Sequence, residues 1–183
     1  MNHVLAAHTR PQPWRNGGGS TRELLTWPAG EAWALRISLA GVTQDGPFSA
    51  WPGVQRWFAV VEGAGVELAL PTGPVALRPG SPPLHFAGDA APHCRLLDGP
   101  TQDLNLMVRR GRGEMRRAMP ASGAPTGTPW RALYTADAAT LELDGAVMPL
   151  PAGTLAWLHS DEPVGWQLQD EAVRAWWLTW SPD

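Results

Sequence analysis

VELALPTGPVALRPGS, residues 66–81, places apolar strand-like runs on either side of a Pro-Thr-Gly turn and ends in an Arg-Pro-Gly turn. Alternation with period two sends every second side chain to one face of a strand, so the stretch reads as a β-hairpin. About 72 to 75 residues further on, LELDGAVMPLPAGT, residues 141–154, repeats the scheme: apolar-Glu-Leu, a turn glycine, an apolar strand, then a turn with proline and glycine. Two β-barrel halves in tandem explain this repeat better than one long sandwich.

The surrounding chain agrees. Residues 32–40 (AWALRISLA) alternate, with Trp33, Leu35, Ile37 and Leu39 on one face and Arg36 and Ser38 on the other. Residues 56–62 (RWFAVVE) read as a short buried strand, and 84–86 as another. Residues 103–109 set Leu104, Leu106 and Val108 against Asn105, Met107 and Arg109. No window of helical length keeps a 3.6-residue period without a proline or glycine, and many short strands with closely spaced turns specify an all-β fold. Residues 111–128 are polar and rich in Gly and Pro. The expected organisation is an N-terminal half over 1–112 carrying the main pocket, a linker over 113–128 and a C-terminal half over 129–183.

Composition bounds the chemistry. The 183 residues are 44% hydrophobic, with 11 tryptophans, 20 glycines and 19 prolines, enough for a sizeable core divided by many turns. The net charge of −3 provides no basic footprint for nucleic acid and no polybasic membrane patch. All 14 basic residues are arginine, so Schiff-base and Walker-lysine chemistry are excluded. Cys94 is the single cysteine, which rules out an internal disulfide and a cysteine-based zinc cluster. The opening MNHVLAAHTR lacks the apolar run of a secretory signal, and no stretch approaches the ~18 apolar residues of a membrane helix. A soluble cytoplasmic protein with neither nucleic-acid nor membrane partners is expected.

PWRNGGGSTREL, residues 13–24, carries three successive glycines. Such a run persists where the backbone needs close approach or positive φ. It lacks the lysine of a phosphate-binding P-loop and the third glycine of the dinucleotide fingerprint, so it reads as a tight loop. The five histidines form no HxH or HExxH pair. His85, Asp89 and His93 fall in a segment that reads as strand, turn and loop, which disfavours a metal site. Cys94 reads as a small buried hydrophobe. What remains is a set of polar residues within apolar strands: Arg36, Ser38, Arg56, Asp103 and Asn105, with Asp45, Ser49 and Asp89 near turns. Arginine forks and amides in a barrel interior suit a small carboxylate, because guanidinium pairs bidentately with carboxylates. Trp14, Phe48, Trp57 and Phe86 would supply aromatic walls.

The series PWRNGGGSTREL, WALRISLAGVTQDGPFSAWPGVQRWFAVVEGAGVEL, FAGD and CRLLDGPTQDLNLMVRR resembles the HutD/Ves family over roughly residues 10–110. After residue 112 only the strand pattern and the closing WWLTWSPD fit. The resemblance implies a cupin-type double-stranded β-helix with two tandem barrel halves, a bicupin, that has lost the cupin metal histidines and takes no cofactor or metal. It implies a non-enzymatic regulatory protein of bacterial histidine utilisation that binds a small anionic intermediate, formylglutamate or urocanate. The alternatives are a metal-independent hydrolase or isomerase acting on a related carboxylate, a Ves-like stress-induced protein, or a β module that binds protein. Carried onto this chain, the motifs nominate Asn16, Thr21, Arg22, Arg36, Ser49, Arg56, Phe86, Asp89, Asp103 and Asn105 as ligand-binding residues. Arg36 and Arg56 are to hold a carboxylate, Asn16 and Asn105 to hydrogen-bond a second group, and Asp89 and Asp103 to orient the arginines. Trp157, Trp166, Trp176 and Trp177 are left for packing or for the surface of a homodimer. No catalytic residue is nominated.

Overall fold

Turns at proline and glycine cut the chain into strands too short to fold alone, and each gains its stability from its neighbours' backbone bonds. The structure, a computed structural model, describes residues 1–119, 123–160, 164–170 and 173–183. Among these no α-helix forms, and no helix is long and apolar enough to cross a membrane. In chain order the strands are β1 (Asn2–Leu5), β2 (Gln12–Pro13), β3 (Gly19–Trp27), β4 (Leu35–Val42), β5 (Gly46–Pro47) and β6 (Gln55–Glu62). There follow β7 (Val66–Leu70), β8 (Gly73–Leu77), β9 (Leu84–Ala87), β10 (His93–Leu96), β11 (Thr101–Val108) and β12 (Arg112–Arg117). The last are β13 (Trp130–Thr135), β14 (Ala139–Leu143), β15 (Ala146–Leu150), β16 (Thr154–His159), β17 (Trp166–Leu168) and β18 (Ala175–Ser181).

The chain divides into two units. Arg10–Arg110 forms one, and Met1–Thr9 with Gly111–Asp183 forms the other. The first contains a six-stranded sheet, β2-β3-β4-β11-β6-β9, and a four-stranded sheet, β5-β10-β7-β8. The second contains a five-stranded sheet, β1-β16-β13-β18-β12, and a three-stranded sheet, β15-β14-β17.

The two hairpins legible in the sequence are β7–β8 and β14–β15, and they belong to a repeated pairing scheme. In the first unit β6 pairs β9 and β11, while β7 pairs β8 and β10. In the second β13 pairs β16 and β18, while β14 pairs β15 and β17. In each unit an earlier strand, β4 or β12, pairs the far side of the last. Each unit has its own core: Phe58, Val60, Leu68 and Cys94 in the first, and Leu133, Leu141, Trp166 and Trp177 in the second. Trp166, Trp176 and Trp177 are buried, so their role within this chain is packing.

Three expected boundaries move. Residues 1–9 leave the first half, because β1 pairs β16 from Asn2↔Trp157 to Leu5↔Thr154. Residues 113–117 are not linker: they lie within β12, which pairs β18 and buries Met115 at its centre. The arginine-rich composition of that segment belongs to a sheet edge, where charged side chains discourage further pairing. Residues 120–122 of the expected linker lie outside the described residues. The strand expected over 32–40 begins at Leu35, since Ala34 is engaged by Arg109 N–H and by the Trp27 carbonyl in a loop pairing.

The glycine run meets both expected requirements at different positions. Gly17 adopts φ +72°. Gly19 opens β3 opposite Val42, and a Cβ there would lie 2.2 Å from the Gly41 carbonyl oxygen and 3.0 Å from the Trp14 ring. Asn16 Oδ1 accepts the Gly18 N–H at 3.1 Å, and the Gly18 carbonyl accepts the Thr43 N–H at 2.9 Å. Gly19→Ala forces β3 away from β4. It is expected to lower stability by on the order of 2 kcal/mol or more in urea unfolding, with m unchanged. A loss below half of that would show that the sheet yields at this point.

Candidate functional site

The register of the six-stranded sheet gathers the site. On β11, Met107 stands opposite Arg36 and Arg56, Asn105 opposite Ser38 and Phe58, and Asp103 opposite Ala40 and Val60. Period-two alternation therefore places all nine on one face, while Leu104 and Leu106 face the other way. Against this face lies a cavity of about 550 Å³. Arg36, Ser38, Arg56, Asn105 and Met107 form its floor. Trp14, Phe48 and Trp51 wall it, and Gln12, Arg15, Asn16, Thr21 and Ser49 line the remainder.

Arg56 dominates the floor. It is buried, at 8% exposure, and its Nε and Nη2 both donate to Asn105 Oδ1, at 2.9 and 2.6 Å. Its guanidinium carbon lies 4.6 Å from the centre of the Phe48 ring, 5.5 Å from Phe86 and 5.8 Å from Phe58. These are all three phenylalanines of the chain. Each ring face attracts the cation, by on the order of 1 kcal/mol where water is excluded. Among the described residues no carboxylate pairs with Arg56 directly. Burial lowers its pKa to about 10, against the opposing charge of Asp103 and with a further contribution from Arg36, so it stays cationic at neutral pH.

Arg36 differs. Its Nε donates to Glu23 Oε2 at 2.7 Å, its Nη1 points to Met107 Sδ at 3.6 Å, and its guanidinium stands 5.6 Å from the Trp51 ring. Its charge is already answered by a carboxylate from β3. Thr21 accepts the Trp14 indole N–H at 2.8 Å and so fixes one wall.

Six of the ten nominated residues line the cavity: Asn16, Thr21, Arg36, Ser49, Arg56 and Asn105. Four do not. Arg22 alternates with Thr21 along β3, on the opposite face. Phe86 lies behind the cavity as part of the ring cage around Arg56. Asp89 sits exposed in the 3₁₀ turn Gly88–Ala90 and neither bonds nor pairs with an arginine, contrary to its expected role. Asp103 is fully buried on the same face of β11, outside the lining of the cavity. Asn105 is a positioning residue more than a ligand donor, since its Oδ1 is taken by Arg56 and its Nδ2 donates to the Asp103 backbone carbonyl at 3.2 Å. Trp57 is not a wall: it stands on the other face of β6, stacked on His85 with ring centres 4.2 Å apart. Sequence reasoning passed over Trp51 and Met107 as lining residues. Met107 was placed on the Asn105 face by alternation, and that signal was sufficient to find it.

Asp103 Oδ2 accepts the Thr101 hydroxyl at 2.9 Å, and its Oδ1 has no partner. Burial pushes the carboxyl up to about 7, against the lowering effects of the Thr101 hydrogen bond and the Arg56 charge. Cys94 is buried nearby, and desolvation together with Asp103 and Asp45 pushes its thiol up to about 12, which keeps it protonated and inert. Among the described residues no group of three or more His, Cys, Asp or Glu side chains has the arrangement to hold a metal ion.

A family model described as HutD matches residues 6–176. Protein Ves of Citrobacter koseri is 38% identical over 101 residues, covering 54% of this chain and 53% of the relative. An uncharacterized 21.2 kDa protein in the hutC 3′ region of Pseudomonas putida is 36% identical over 110 residues, covering 57% of this chain and 56% of the relative. The chain thus spans about half the length of the curated relatives it matches. Among solved structures, HutD from Pseudomonas fluorescens superposes with a TM-score of 0.86 at 23% identity, covering 100% of this chain and 98% of that one. A cupin 2 conserved barrel domain protein from Leptotrichia buccalis superposes with a TM-score of 0.59 at 11% identity, covering 99% and 97%. These two likenesses are of fold, and they make it a cupin-like β-barrel fold.

A carboxyl that titrates near 4 in the unfolded chain and near 7 in the folded one binds more protons when folded. The stability it contributes is full below about pH 4 and is lost as pH rises through about 7. Between about pH 5 and pH 8, the wild type is expected to lose a few kcal/mol more stability than Asp103→Asn, read by chemical denaturation at each pH. Parallel curves for the two proteins would place the Asp103 carboxyl in the ordinary range.

Proposed function

The chain belongs to the HutD family, and from that premise we propose that it is a non-enzymatic binding protein for a small carboxylate metabolite of histidine utilisation, formylglutamate or urocanate. The observation that carries this reading is Arg56: a buried cation on the floor of a cavity, caged by aromatic rings, oriented by an amide and paired with no carboxylate among the described residues. Buried charges are stable when an opposite charge answers them, and a carboxylate entering the cavity is that partner. Arg36, held by Glu23, shapes the site and adds positive potential.

The lining favours binding over turnover. Among the described residues, those lining the cavity include no His, Asp, Glu, Cys or Tyr, the side chains that commonly serve as general acid or base. A hydrolase or isomerase acting through Asp and His groups finds none of them there. The burial of Arg56 and the partial burial of Arg36 also speak against a module that only binds protein through an open arginine face. The relative encoded in a hutC 3′ region supports the link to histidine utilisation. The repeated strand pairing supports reading the chain as a bicupin, with each pairing set as one double-stranded β-helix half.

Formylglutamate or urocanate is expected to raise the melting temperature of the wild type. Arg56→Met, which keeps apolar bulk among the three rings, is expected to fold with equal or higher stability and to bind at least about thirtyfold more weakly by calorimetry. Absence of binding by either compound to the wild type would overturn the reading. Equal binding by Arg56→Met would move the anion site elsewhere.

A further inference from the structure

Asp103 has no place in the lining of the cavity, yet its burial is complete and one of its oxygens is bare. It stands two residues from Asn105 on the same face of β11, and Asn105 ties the two sites together. The Asn105 amide Nδ2 donates to the Asp103 backbone carbonyl, while its Oδ1 receives Arg56. The carboxyl therefore lies close enough to influence the Arg56 charge without touching the guanidinium.

We propose that Asp103 is a positioning residue that couples anion binding at Arg56 to uptake of one proton. The inference rests on the reading that the cavity binds a carboxylate. An ionised Asp103 and a bound carboxylate compete for one guanidinium in a site of low polarity, and two like charges there raise each other's cost. When the ligand arrives, a solvent proton adds to the Asp103 carboxylate and leaves it neutral, with the Thr101 hydroxyl as partner. The ligand then has the Arg56 charge to itself.

The neighbouring groups leave this role to Asp103. From β6 it is faced by Arg56 and apolar Val60, and from β4 by Ala40. From β10 comes Cys94, whose thiol stays protonated, with Asp45 acting beyond it. Arg36 is paired with Glu23 of β3. His85 and His93 are exposed, with His85 stacked on Trp57 on the other face of β6.

The test is calorimetric titration of the full chain with N-formylglutamate between pH 6 and pH 8, in buffers of different ionisation enthalpy. The probe's carboxylates remain ionised throughout this range. The wild type is expected to bind about tenfold more tightly at pH 6 than at pH 8, with net proton uptake on binding. Asp103→Asn is expected to bind without that slope or uptake, and more tightly than the wild type at pH 8. Thr101→Val, which removes the hydrogen bond favouring the ionised form, is expected to move the wild-type transition to higher pH and supplies the test should Asp103→Asn fold poorly. Binding that is independent of pH in the wild type, or a slope unchanged in both variants, overturns the coupling and leaves the carboxylate site standing. Absence of binding at every pH overturns both.

Discussion

A buried guanidinium is the constraint around which the first unit is organised. Arg56 enters the sheet face at a position where its neighbours on both sides, Met107 and Phe86, are apolar. Unanswered, such a charge would cost several kcal/mol. The chain distributes the answer: an amide oxygen from β11, ring faces from positions 48, 58 and 86, and a carboxyl held near but not in contact. Each part is weaker than a direct ion pair. Together they keep the cation in place while leaving its strongest mode of partnership, a bidentate carboxylate, to whatever enters the cavity. A direct Asp–Arg pair would be more stable and would close the site.

The second unit shows what the same strand scheme becomes without that arrangement. Arg131 occupies the second position of β13 as Arg56 does of β6, opposite Thr179 and Leu158. One pleat deeper, where Phe58 faces Asn105 in the first unit, Leu133 faces Trp177. Deeper still, Val60 and Asp103 correspond to Thr135 and Ala175. Trp177 packs edge-on against Trp166, ring centres 6.1 Å apart, and the two indoles fill the middle of that core. One repeat thus sets polar residues against its cavity where the other sets two buried tryptophans.

Much of the site was legible because alternation is local. Arg36 and Ser38 on one face of their strand, and Asn105 and Met107 on one face of theirs, follow from period two alone, and both pairs line the cavity. Arg22 and Asp89 were nominated from motif membership, and the structure places one on the opposite face of β3 and the other in an exposed turn. Motif membership conveys neither which face of a strand a residue occupies nor whether a turn lies near the pocket. Trp57 failed as a wall for the same reason: it neighbours Arg56 in sequence and so must face the other way.

The sequence by itself determined the all-β class, the turns, the repeated hairpin, the need for glycine somewhere in the 17–19 run and the family, since each depends on residue type and short-range spacing. Tertiary structure alone decided that Asn2–Leu5 pairs with β16, that three phenylalanines far apart in sequence converge on one cation, and that Glu23 pairs with Arg36 while Arg56 has no carboxylate partner among the described residues. It also decided the burial that pushes Asp103 to titrate near neutrality. Strand register and desolvation are long-range properties. The energy of a charge depends on what the fold places around it, and no local pattern in the chain records that.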